Sequence, residues 1–261
     1  MIEVAGGVFA RRHVELDQTL GLIVGDERCL VVDSGTDEVH GGAWLEAVRA
    51  VTRLPVTLLI THAHWDHFFG TAAFPSGPVW AHPRCAGEIA ANAEEHRERG
   101  LRAWAERPEL AERMRAARVV VPTERVDPRV RIDLGGRSVD LLHPGRGHTG
   151  GDVVVHLPEE GVLFAGDLVE QGAPPAIGKD AYPLDWPSTM DNLLALGPTV
   201  IVPGHGEPVD PAFVAGQRDE LAVVAELCRA VRVGELSAED AVARSPYPEG
   251  YTRPAFSAEW T

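Results

Sequence analysis

The chain reads as an α+β sandwich, two mixed β-sheets flanked by helices in an αββα layering. Three observations predict it. Strand-rich halves, from Leu20 to Ile60 and from Val130 to Ala165, alternate with helical stretches that lie outside them. The chemically distinctive residues all fall at or just beyond strand ends, where short loops sit on a rigid scaffold. With 261 residues and 44% hydrophobic content, the chain can fill a core of that size. A single domain over 1–261 is expected, with a helical insertion near 84–118 and C-terminal helices near 211–244.

The elements follow in order. Leu20 to Val24 and Cys29 to Val32 are apolar runs around Gly25-Asp26-Glu27-Arg28, a hairpin pattern. Ala43 to Val51 places apolar residues at helical spacing. Val56 to Ile60 is β-branched and apolar on both faces, so it reads as a buried strand. Val79 to Ala81 is a brief strand. Arg84 to Arg118 is rich in Ala, Glu and Arg and reads as two helices broken at Pro108. Its apolar members (Ile89, Leu101, Trp104, Leu110, Met114) suit packing on the domain, a lid over the site or a dimer surface.

Val130 to Leu134 and Ser138 to Leu142 are strands around Gly135-Gly136, and Asp152 to Leu157 forms a hairpin with Gly161 to Ala165. A helix opens at Asp185-Trp186-Pro187 and runs through Leu196, with Asp185 as its cap. Thr199 to Val202 is another buried strand. Pro211 to Arg232 is a long helix and Ser237 to Arg244 a shorter one; the Pro-rich tail after Pro246 is expected to be irregular.

Composition narrows the function. A formal net charge of -15 disfavours nucleic acid as a partner, because phosphate backbones attract basic surfaces. No apolar run is long enough to span a membrane, and the first residues lack the basic and apolar regions of a signal peptide. Cys29, Cys85 and Cys228 are scattered and odd in number, as expected of reduced thiols in a cytoplasmic protein. The expected partner is a small-molecule substrate, with a homodimer as a further possibility.

One run carries most of the chemistry. Thr61-His62-Ala63-His64-Trp65-Asp66-His67 puts three imidazoles and a carboxylate within six residues. Gly147-His148-Thr149-Gly150, Ala165-Gly166-Asp167 and Pro203-Gly204-His205-Gly206 each follow a strand. His62 and His64 alternate in an extended segment and can share one ion; the chain must turn for Asp66 and His67 to reach a second. Seven nitrogen and oxygen ligand candidates without cysteine suit two divalent ions, zinc first, with iron and manganese as alternatives.

This set resembles the metallo-β-lactamase superfamily. The family's motif of three histidines and an aspartate matches His62, His64, Asp66 and His67. Its later motifs match His148, Asp167 and His205 in chain order, over about Leu20 to Pro208. The resemblance implies that His62, His64 and His148 hold one Zn2+ ion and that Asp66, His67 and His205 hold a second. Asp167 would bridge the two ions together with a water or hydroxide. Asp66, His148 and Asp167 would then be central to catalysis. The implied reaction is attack of a metal-bound hydroxide on the carbonyl of a small ester, thioester, lactone or lactam. The cysteine-ligand lactamases place their cysteine where this chain has Asp167, so that branch is disfavoured. Two other readings stay open: an iron-dependent oxidoreductase of the same superfamily, and a non-catalytic binding protein that retains the fold.

Substrate contacts are less legible. Trp65 and Phe68-Phe69 flank the ligand candidates and suit a dry wall or a substrate contact. From Asp167 to Gly178 the chain reads as a Gly/Pro-rich loop leaving the bridging ligand. Beyond it, Lys179 is placed to pair with a substrate carboxylate and Tyr182 to donate to an oxyanion. Asp33, after an early strand, suits support of a ligand histidine or a surface turn.

Overall fold

Residues 1–75 and 77–257 are described by a computed structural model. A seven-stranded sheet uses the first half of the chain. Strands β1 (Ile2–Ala5), β2 (Val8–Arg12), β3 (Thr19–Val24) and β4 (Cys29–Val32) pair antiparallel in sequence order. Pairing then turns parallel through β5 (Val56–Leu59), β6 (Val79–Ala81) and β7 (Glu124–Arg125). Parallel neighbours need crossovers, and helices supply them. These are α1 (Glu38–Val51), the single turn α2 (Trp65–Phe68), α3 (Pro83–Ala103) and α4 (Pro108–Ala116).

A five-stranded sheet has the order β12-β11-β10-β9-β8. Its strands are β8 (Arg129–Asp133), β9 (Ser138–Leu142), β10 (Val154–Leu157), β11 (Val162–Glu170) and β12 (Val200–His205). Only β11 and β12 run parallel, joined through α5 (Trp186–Ala195). Helices α6 (Pro211–Arg232), α7 (Ala238–Arg244) and α8 (Glu249–Ser257) follow. The two mixed sheets with outer helices are the layering read from the sequence.

Period-two alternation sorts the core into three layers. Leu30, Val32, Leu59, Val155, Leu157 and Phe164 meet between the sheets. Leu22, Val31 and Leu58 point the other way, onto Trp44 of α1 and Ile89 of α3. Val154, Leu163 and Ala165 face Trp186 and Met190 of α5 and Leu221 of α6. Each fully buried aliphatic side chain contributes roughly 1.5–3 kcal/mol relative to exposure.

Several boundaries differ from expectation. The β1–β2 hairpin and β7 were not anticipated. Helix α1 begins five residues before Ala43, because the Asp37 side chain accepts from the N–H groups of Val39 and His40 and caps it there. Strand β11 runs through Asp167 to Glu170, so the expected loop starts only after Glu170. Asp185 makes no side-chain cap on α5; its carboxylate pairs with Arg146 at 2.5 Å. The tail after Pro246 forms α8, held by buried Thr252, Ala255 and Phe256; positions 258–261 lie outside the described residues. The insertion helices pack on the domain, with Ile89, Trp104, Leu110 and Met114 all in the core. Among the described residues no helix is long and apolar enough to cross a membrane.

Candidate metal centre

The ligand candidates converge where β5, β11 and β12 end. His62 follows β5, His64 to His67 wind into α2, Asp167 lies within β11 and His205 closes β12. His148 comes from the β9–β10 loop, pinned when Asp152 accepts from the Thr149 N–H and hydroxyl. His62, His64, His148 and Asp167 each offer a ligand atom, and these atoms lie within 4.8 Å of one another. Asp66, His67 and His205 form a second such group.

Asp167 touches both. Its Oδ2 lies 3.5 Å from His62 Nε2, 3.5 Å from His148 Nε2 and 3.4 Å from His205 Nε2, and its Oδ1 lies 3.3 Å from His67 Nε2. The backbone is shaped for this carboxylate. Gly166 has a φ of 54°, left-handed backbone that glycine adopts freely. A Cβ on Gly204 would collide with Asp167 Oδ1.

Each histidine is held by its other ring nitrogen. His67 Nδ1 lies 2.8 Å from Asp33 Oδ2 and His64 Nε2 lies 2.9 Å from Asp180 Oδ2. His62 Nδ1 lies 3.1 Å from the Thr61 hydroxyl. His148 Nδ1 meets the Ala176 carbonyl at 3.1 Å, and His205 Nδ1 meets the Leu16 carbonyl at 2.9 Å. Such partners fix ring orientation and turn the second nitrogen inward, where His64 Nδ1 and His148 Nε2 lie 2.8 Å apart. The inward atoms His62 Nε2, His67 Nε2 and Asp167 Oδ1 are buried with no hydrogen-bond partner. Buried polar atoms of this kind are costly unless something else satisfies them, and a cation does.

Electrostatics point the same way. Burial opposes ionisation of Asp66, yet His67 and His205 outweigh it and hold its carboxyl down at about 2. Burial opposes the charged form of His67 too, but the carboxylates of Asp167, Asp66 and Asp33 overcome it and hold the imidazole well above its ordinary value. His148 is pushed down to about 4, first by burial and then by His64. The buried carboxylates demand positive charge at the focus of the cluster, and the donor set of imidazoles and carboxylates fits divalent cations there.

The centre opens into a cleft of about 390 Å³. Trp65 lines it, together with Arg99, Glu170, Asp180 and Tyr251, which sequence reasoning did not select as site residues. Burial, then the Asp167 charge, pushes the Glu170 carboxyl up to about 8. Three expected substrate contacts do not line the cleft. Phe68 is fully buried in the core instead of facing the cleft. Lys179 is exposed and is absent from the cleft lining, while its neighbour Asp180 turns inward to His64. Tyr182 also lies off the cleft, under the Arg146 guanidinium at 4.5 Å.

The model of the metallo-β-lactamase superfamily matches residues 14–205. The chain belongs to this superfamily. A type 2 metallo-β-lactamase from Bacillus cereus is 28% identical over 207 residues, 77% of this chain and 72% of that protein. The alpha subunit of a 2,4-dinitroanisole O-demethylase from a Nocardioides species is 26% identical, over 70% of this chain and 51% of its own length. Among solved structures, a metallo-β-lactamase from Pontibacter korlensis superposes with a TM-score of 0.68 at 21% identity, covering 85% of this chain and 97% of that one. The sec-alkylsulfatase Pisa1 from a Pseudomonas species gives 0.77 at 16% identity, covering 98% of this chain and 46% of that longer one.

Asp180 offers a local check on the centre. Asp180→Asn replaces the carboxylate facing His64 with an amide of the same shape. Zinc affinity is expected to fall roughly 10–100-fold, read by competition with a fluorescent chelator. Unchanged affinity would show that Asp180 does not support the ligand.

Proposed function

We propose that the chain is a metal-dependent hydrolase that attacks the carbonyl carbon of a small ester, thioester, lactone or lactam at a di-zinc centre and breaks its acyl C–O, C–S or C–N bond. The observation that carries this reading is the set of five histidines, each backed by an oxygen; four of them, His62, His67, His148 and His205, aim the other nitrogen at the Asp66 or Asp167 carboxylates, and His64 aims its own at His148. His62, His64 and His148 would hold one ion, Asp66, His67 and His205 the other, and Asp167 both. Bound there, a pair of divalent cations supplies an acidified water and a Lewis acid for the substrate's carbonyl oxygen.

The chain's own residues do the rest. Gln18 donates to the Asp66 carbonyl at 2.5 Å, fixing the turn that aims the Asp66 carboxylate. One Asp66 oxygen can ligate while the other orients the attacking water and accepts its proton. Trp65 and Tyr251 give the cleft an aromatic wall against which the acyl body can lie.

A substrate panel tests the proposal. Zinc-loaded protein is expected to turn over at least one of a β-lactam, a lactone, an aryl ester and a thioester. The activity should disappear with a chelator and return with zinc. An alkyl sulfate and an aryl methyl ether belong in the panel because similar proteins carry those names. Turnover of these two alone would move the reaction away from carbonyls. Turnover of nothing by fully loaded protein would contradict the hydrolase reading.

A further inference from the structure

The cleft is lined by one permanent side-chain cation. Among its lining residues Arg99 alone is a Lys or Arg, whereas Asp17, Asp66, Asp167, Glu170 and Asp180 bring carboxyls. In a chain of net charge -15, a guanidinium at that place needs a reason. Its present partners satisfy it only in part. Nη2 lies 3.0 Å from Glu95, one turn back on α3 and largely exposed, a solvated pair that contributes little. Nη1 lies 3.5 Å from Asp180 Oδ2, longer than a close hydrogen bond. Planar donors therefore remain at the cleft.

The arginine is also held in position. Arg97, two residues back, donates to the Met114 carbonyl at 2.5 Å and to the Ala117 carbonyl at 2.9 Å, tying α3 to the end of α4. His96 and Gly100, on either side of Arg99, are buried. A side chain on a braced helix positions a ligand more accurately than one on a loop. Trp65 and Tyr251 give the same cleft aromatic surface.

We propose that Arg99 anchors a carboxylate of the substrate, so that this site takes small acyl compounds carrying an anionic group beside an apolar body. The inference rests on the hydrolase reading above and names its substrate class. A guanidinium fork matches a carboxylate with two parallel hydrogen bonds, which sets orientation as well as affinity. Asp180 ties the anchor to the centre, since its Oδ2 also lies 2.9 Å from His64 Nε2. A substrate held at Arg99 is thus registered against the metal-ligand cluster, which orients the bond to be cut. Lys179, the sole lysine of the chain, lies off the cleft and does not compete for this role.

Calorimetry on the zinc-loaded protein tests the anchor without turnover, using phenylacetate and its neutral isostere phenylacetamide. Wild type is expected to bind phenylacetate at least about tenfold more tightly. Arg99→Lys should keep part of that preference and Arg99→Gln should abolish it, with melting temperatures unchanged within a few degrees. Equal binding of the two probes by wild type would overturn the proposal. So would a carboxylate preference that survives in Arg99→Gln, since the anion would then sit on the metals or elsewhere. Failure of the hydrolase reading shows separately, as absence of turnover across the substrate panel.

Discussion

Asp167→Ala is expected to give a folded protein that binds fewer than two divalent ions and loses activity by roughly a thousandfold or more, about 4 kcal/mol of transition-state stabilisation. Among the described residues, Asp167 is the side chain whose oxygens approach members of both ligand groups, His62 and His148 on one side and His67 and His205 on the other. Its Oδ1 is buried without a hydrogen bond, and in the metal-free fold the carboxylate is balanced chiefly by His67 and His205. Removing a buried, incompletely paired carboxylate also removes a desolvation cost. That gain offsets the lost pairing with His67 and His205, so the metal-free variant should melt within a few degrees of wild type. Calorimetric unfolding, metal content and kcat measured together distinguish this outcome from simple unfolding. Unchanged metal content with full activity would contradict the bridging role.

Asp33→Ala should act in the opposite way, on stability first. Asp33 accepts from the Thr61 N–H at 2.7 Å and the Thr61 hydroxyl at 2.8 Å, and it faces His67 Nδ1 at 2.8 Å. All of these groups are buried. The residue also has a φ of 61°, a conformation aspartate tolerates better than alanine does. Leaving a buried donor unpaired costs roughly 1–3 kcal/mol. The combined loss, which is not additive, is expected at about 4 kcal/mol. It should be read by denaturant unfolding of the metal-free protein, so that metal linkage does not enter. His67 is also released, and zinc affinity should fall roughly 10–100-fold. A loss below about 1 kcal/mol would show that the Asp33 contacts do not organise the centre.

What the sequence made legible was local. The runs that became β3, β4, β5 and β12 are short and apolar, and the histidine cluster follows β5 while His205 closes β12. What it hid was distant or depended on direction. His64 and Asp180 are 116 residues apart, and His205 and the Leu16 carbonyl 189 apart, so no local spacing pairs them. Lys179 and Asp180 are chain neighbours whose side chains part company, one to solvent and one to His64, and charge type alone favoured the wrong neighbour. Arg99 does not stand out in the sequence because Glu94, Glu95, Arg97 and Glu98 surround it, the pattern of a solvated helix face. Its position over the cleft arises from how α3 packs, which periodicity does not show. Tyr251 was hidden for a different reason: Pro246, Pro248 and Pro254 read as breakers. The first two precede α8, and the third is accommodated within it.

The central claim is that seven side chains form a two-ion centre, and counting the ions tests it most directly. Native mass spectrometry of protein equilibrated with zinc and desalted should show two divalent ions per chain, both removed by a chelator. Uptake of one ion or none at saturating zinc would contradict the account.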